Sequence, residues 1–118
     1  MIRFIHVSLL MGVAMLALGA AGCSKSTNAL KSNVFDSAGP EIKAKWEKAT
    51  AAAATNDYAT AVIAMNEIAA QTNLTTEQRT VLNDALSGEN DRMFAAAQKG
   101  DPQAKAALDE IRKHLLQR

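Results

Sequence analysis

Cysteine is almost missing from this chain: one residue, Cys23, in 118. No intrachain disulfide can form, and two histidines, His6 and His114, are too few for a zinc or other transition-metal site. Aromatic residues make up 4% of the chain, with one Trp and one Tyr. Any core must therefore be assembled mainly from alanine and mid-sized aliphatic side chains. Charge of one sign is also lacking, with thirteen Lys and Arg against twelve Asp and Glu. That balance argues against nucleic acid, which needs a basic patch, and gives no electrostatic reason for wide contact with anionic headgroups. Proline occurs twice, as Pro40 and Pro102. No run of alternating β-branched residues is long enough for a strand, which points to an all-α chain.

What is present begins at the N-terminus. "MIRFIH" carries Arg3, and "VSLLMGVAMLALGAAG" then runs uncharged from Val7 to Gly22. A cationic start, a short apolar core and small residues at the exit have the layout of a cleaved secretory signal. A retained span needs about 20 predominantly apolar residues, and this run is shorter and loosened by Ser8, Gly12, Gly19 and Gly22.

The lone cysteine closes that run. "AAGC", Ala20 to Cys23, resembles the lipobox of bacterial lipoproteins, with alanine where leucine is usual. The resemblance implies a diacylglycerol thioether on Cys23, cleavage before it, and acylation (typically with palmitate) of the new amine. A free redox or nucleophilic cysteine would want a partner thiol or a nearby histidine, and the chain after Gly22 offers only the distant His114. Two or more acyl chains hold firmly where one is marginal. Ser24 follows the cysteine in place of the aspartate associated with inner-membrane retention, so the resemblance implies the periplasmic face of an outer membrane.

Cleavage of residues 1–22 from a chain of 118 leaves 96, enough for one small domain. Residues 23–39 then comprise the lipidated cysteine and "SKSTNALKSNVFDSAG", which reads as a flexible tether holding the domain roughly 20–24 Å from the lipid. The alternative is that "NALKSNVF" folds onto a partner or onto the domain through Leu30, Val34 and Phe35.

Residues 40–118 read as a helical domain of four to five short helices. Pro40 opens the first, with Ile42, Trp46, Ala49 and Ala53 as its inner stripe. Asn56 suits a left-handed cap and Asp57 the next N-cap. Tyr58, Ala61, Val62, Met65, Ile68 and Ala69 form one face of the second helix. Ala59, about 160° round from Ala61, is expected at the solvent side. Thr75 with Gln78 makes a capping box. The third helix carries Val81, Leu82, Ala85 and Leu86, and a break or kink is expected at Ser87-Gly88. "RMFAAAQK" is then a short fourth segment, and Asp101-Pro102 starts the last helix, with Ala104, Ala107, Leu108, Ile111 and Leu115 as its stripe. "AAAATND" and "AAAQKGD" echo each other 44 residues apart, a period typical of helical-hairpin arrays.

Residues 44–72 resemble a tetratricopeptide hairpin, with Ala49 and Ala61 as the small pair where two helices touch and "NDY" at the turn. Residues 93–111 are similar to the related Sel1-like hairpin in the alanines flanking "GDP". An alanine-rich helix followed by a Gly-Asp turn also occurs in ankyrin repeats. The resemblance implies stacked antiparallel hairpins that present a groove to a partner, without chemistry.

No catalytic constellation is assembled: there is no phosphate-binding glycine loop, nucleophile elbow or HExxH. "DALSGEND" gathers acids around a glycine, but Leu86 stands at the third ligand position of a calcium loop. Trp46 and Tyr58 could grip a peptide or glycan, yet among alanines they are better used to fill the core. The expectation is a non-enzymatic interaction module with no cofactor, metal or small-molecule substrate, engaging one envelope protein or a second copy of itself. A pilot that escorts a secretion or pilus subunit to the outer membrane is the alternative.

Overall fold

A computed structural model describes residues 28–118; the signal, the lipobox and Cys23 lie outside them. The described chain is all-α and contains no strand. Four helices follow one another: α1 (Pro40–Ala54), α2 (Tyr58–Ala69), α3 (Thr76–Gln98) and α4 (Pro102–Leu116).

Local chemistry sets most of their ends. Pro40 and Pro102 stand in the first turns of α1 and α4, where a missing N–H costs nothing and φ is already helical. Asp57 caps α2 by accepting from the Thr60 N–H at 3.3 Å. Asp101 caps α4 by accepting from the Gln103 N–H at 2.9 Å. Thr75 and Gln78 form the reciprocal box: the Gln78 N–H donates to the Thr75 hydroxyl (3.1 Å) and the Thr75 N–H to Gln78 Oε1 (3.0 Å).

The sequence echo is one turn built twice. Among the described residues, Asn56 (φ 58°) and Gly100 (φ 90°) are the two with positive φ. After the first, the Asp57 N–H donates to the Ala52 carbonyl; after the second, the Asp101 N–H donates to the Ala96 carbonyl. Each turn satisfies the last carbonyls of one helix with a left-handed residue, and the aspartate that follows caps the next helix.

Three expectations are corrected by the packing. First, α3 does not break at Ser87-Gly88; it runs unbroken for 23 residues. Its buried positions Gln78, Leu82, Ala85, Glu89 and Met93 keep a spacing of three and four straight through Gly88. A helical glycine costs about 1 kcal/mol relative to alanine, and burial on both sides of it outweighs that. The segment "RMFAAAQK" is therefore the end of α3, not a separate helix.

Second, the tether does not extend to Gly39. Residues 28–30 form a helical turn, and Phe35 is fully buried with its ring centroid 4.5 Å from that of Trp46. Ala29 is buried with them, and Leu30, Val34 and Ala38 pack at the edge of the same cluster as Ile42, Ala49, Met65 and Leu82. Gln78 locks the segment down, because its Nε2 donates to the Val34 carbonyl at 3.2 Å while its Oε1 serves the capping box. Glutamate could cap but could not donate to Val34. The alternative of folding back through Leu30, Val34 and Phe35 is what the structure shows.

Third, Ala59 is not at the solvent side. α2 contacts α1, α3 and α4, so it is enclosed on opposite faces. Ala61 packs with Ala52 and Ala53 of α1. Ala59 packs with Tyr58, Val62, Met93, Ala104 and Ala107 in a second cluster. Both alanines are buried where a larger side chain has no room. Ala61→Leu and Ala59→Leu should each cost about 1–3 kcal/mol by overpacking, whereas Ala51→Leu, exposed on α1, should stay within about 0.5 kcal/mol. Urea denaturation of the three variants checks this; an unchanged midpoint for Ala59→Leu would remove the α2–α4 contact.

Candidate functional site: a buried ion pair and the surfaces around it

The four residues proposed for packing or interaction are all buried. Trp46 lies against Phe35, and Ala49 belongs to the same cluster. Ala61 sits with Ala52 and Ala53 rather than with Ala49, because the antiparallel register of α1 and α2 sets Ala49 among Trp46, Ala64 and Met65. Tyr58 occupies the α2–α4 cluster. None of the four is free to grip a peptide or glycan from solvent.

Polar chemistry gathers at the α1–α2 turn. Arg92 Nη1 donates to Glu89 Oε2 at 2.8 Å and to the Ala53 carbonyl at 3.4 Å. Its Nη2 donates to Asn56 Oδ1 at 2.6 Å, and the guanidinium carbon lies 5.9 Å from the centroid of the Tyr58 ring. One α3 side chain thus binds the C-terminal end of α1, the left-handed turn residue and the first residue of α2. The Glu89 side chain is fully buried, and its Oε1 has no hydrogen-bond partner among the described residues. Burial raises the Glu89 carboxyl above its ordinary value, and the charge and hydrogen bond of Arg92 only partly oppose that.

This pair lies inside "SGENDR", which reads by composition as a solvated helix break. The signal for burial was periodicity: Glu89 falls four residues after Ala85 and four before Met93, on the apolar stripe of α3. A carboxylate on such a stripe demands a cation, and Arg92 one turn on supplies it.

The cluster holds one carboxylate, one guanidinium, an amide and a phenol, with no nucleophile in it. Among the described residues no three His, Cys, Asp or Glu side chains converge as a metal site. His114, near the end of α4, is half-buried, and its Nε2 has no hydrogen-bond partner among the described residues. An open groove of about 390 Å³ is lined by Asn28, Ala29 and Ser32 on one side and Val81 and Asp84 of α3 on the other. Leu115, expected in the α4 stripe, is instead 51% exposed, and Leu116 beside it is 80% exposed. The last α4 residue buried in the α2–α4 cluster is Ile111, so the final turn projects past its partners.

Fold and cluster together define a small all-α domain braced by a buried ion pair. No protein-family model, curated protein or solved structure matches this chain.

Proposed function

We propose that this chain is a bacterial lipoprotein, anchored through lipids on Cys23, whose helical domain is a non-enzymatic protein–protein interaction module at the periplasmic face of the outer membrane. Its helices are arranged as tetratricopeptide-like stacked hairpins. The observation that carries the anchor is the order of Arg3, the uncharged stretch Val7–Gly22, the small pair Ala21-Gly22 and Cys23. The hairpin reading is supported by α2 packing on both α1 and α4, and by the repeated turn at Asn56-Asp57 and Gly100-Asp101. The polar cluster is committed to bracing helices, which favours binding over catalysis. The partner is a single envelope protein or a second copy of the chain, since two hairpins are too short to cradle a long peptide.

Cys23→Ala should abolish incorporation of a fatty-acid probe and leave an unprocessed precursor on a gel. A wild-type chain that takes no label, or a variant that still does, would overturn the anchor. Crosslinking in the native envelope followed by mass spectrometry should then recover one dominant protein partner.

A further inference from the structure

Two lines of side chains on the outside of this domain are complementary to each other. On α3, Val81, Asp84, Gly88 and Asp91 are spaced by three, four and three residues, which keeps them on one side of the helix. Asp84 and Asp91 are exposed, and Val81 and Gly88 are half-exposed. The side of α3 that meets α4 is the line of Leu86, Met93 and Ala97. Asp84 and Asp91 stand two residues before Leu86 and Met93, about 160° round the helix. The acidic line therefore faces away from α4.

On α4, Lys105, Leu108, Arg112 and Leu115 repeat the spacing of three, four and three. Lys105, Arg112 and Leu115 are exposed, and Leu108 is half-exposed. The line that α4 commits to the cluster with α2 and α3 is a different one, Ala104, Ala107 and Ile111. Among the described residues, Asp84, Asp91 and Lys105 form no ion pair, and Arg112 reaches only Asp109, at 3.9 Å with both side chains largely in solvent.

Laid antiparallel, the two lines fit residue by residue. With Arg112 opposite Asp84, Lys105 falls opposite Asp91, because each pair of charges is separated by seven residues, about 10.5 Å along its helix. The same register sets Leu115 opposite Val81 and Leu108 opposite Gly88. This is the a/d pattern of a paired helix seam, with opposite charges at two layers and apolar contact at the other two. A glycine in the middle of a 23-residue helix weakens it, and here the missing side chain leaves room for Leu108. Val81 also lines the open groove with Ala29 and Asp84, which gives exposed Leu116, next to Leu115, a place to enter. Asp109 falls opposite Ser87 and meets no carboxylate. One molecule cannot make this seam, because its own α4 already lies on the other side of α3.

We propose that copies of this chain associate head to tail, with the exposed side of α4 of one copy seated on the outer side of α3 of the next. Asp84 pairs with Arg112 and Asp91 with Lys105, while Leu115 and Leu116 cover Val81. The two surfaces differ, so the interface is heterologous and each copy keeps one of each for a further copy. Thirteen basic against twelve acidic residues leave little mutual repulsion between copies. This inference deepens the interaction reading above by naming a second copy as the partner, and it does not depend on the lipid anchor.

The test is zero-length crosslinking of the purified full chain in detergent, with ¹⁴N and ¹⁵N chains mixed in equal amounts. A carbodiimide should join the Asp91 carboxyl to the Lys105 amine, and mass spectrometry should find that amide between chains of different isotope. Raising salt from about 0.1 M to about 1 M shortens the Debye length from about 10 Å to about 3 Å and should lower the yield. Asp84→Lys with Asp91→Lys in one chain, and Lys105→Glu with Arg112→Glu in another, should each crosslink about tenfold less or weaker still when alone, because like charges then face one another. Mixing those two variants should restore the dimer. All four positions are exposed, so the circular dichroism of both variants should match wild type. Leu115→Gln, which alters neither charge nor crosslinking group, should lower the yield about fivefold through lost apolar contact. Absence of mixed-isotope dimers overturns the proposal and leaves a single envelope protein as the partner. Dimers joined at other positions, or reversed variants that crosslink as well alone as mixed, overturn this interface.

Discussion

Phe35→Ala should cost the domain about 3–5 kcal/mol, the range for deleting a large aromatic from a packed core. Phe35 has no exposed surface, stacks on Trp46 at 4.5 Å between centroids, and shares its cluster with Ile42, Met65, Ile68 and Leu82. Its neighbours are themselves buried, so the space left can close only by displacing side chains that are already packed. Trp46 would lose the face it leans on, and the Gln78–Val34 hydrogen bond would lose the packing that keeps it dry. Small domains hold about 5–15 kcal/mol in all, so the variant should be near its unfolding threshold at ambient temperature. Urea denaturation followed by circular dichroism and by Trp46 fluorescence measures the loss. A stability within about 0.5 kcal/mol of wild type would return residues 28–39 to the status of a tether.

Arg92→Ala should be the second most damaging change, at about 3 kcal/mol near neutral pH, the lower end of the range for breaking a buried ion pair. The lower end applies because the Arg92 side chain is itself 37% exposed and partly solvated. The substitution strands the Glu89 carboxylate without a cation and releases Asn56 and the Ala53 carbonyl. Glu89→Gln should behave in the opposite way. Its amide oxygen still accepts from Arg92 while the buried charge is gone, so stability at neutral pH should hold or rise.

The pH dependence separates the two effects. Because burial raises the folded-state Glu89 carboxyl above its ordinary value of 4.5, the folded chain binds more protons than the unfolded chain between those two values. This group's contribution is therefore fully present below 4.5 and is lost as pH rises through the raised folded value. Melting temperatures of wild type and Glu89→Gln should diverge upward through that window, with the variant the more stable at its top. Arg92→Ala should lose less at low pH than at neutral pH, since protonated Glu89 no longer needs a cation. Adding Glu89→Gln to Arg92→Ala should recover part of the loss. A cost of Arg92→Ala that is independent of pH would show that Arg92 acts through Asn56 and Ala53 alone.

The sequence by itself determined what is settled between neighbours along the chain. Thr75 with Gln78, Asp57 and Asp101 as caps, Pro40 and Pro102 at helix starts, and left-handed Asn56 and Gly100 all act within a few residues, so spacing is enough to read them. The stripes of α1 and α2 were legible for the same reason, being periodicities of a single helix. Tertiary structure decided which side of each helix meets another. Ala59 is buried because α2 is enclosed by α1 and α4, and a stripe computed on α2 alone cannot register a second partner. Gly88 stays helical because contacts from other helices on either side of it exceed its local penalty. Phe35 enters the core because Trp46, eleven residues later, and Gln78, forty-three residues later, provide a place for it. Glu89 is buried because the α1–α2 turn, more than thirty residues earlier, closes over Arg92. Each of these depends on a contact between residues far apart in sequence, whose energy exists only once the helices have docked.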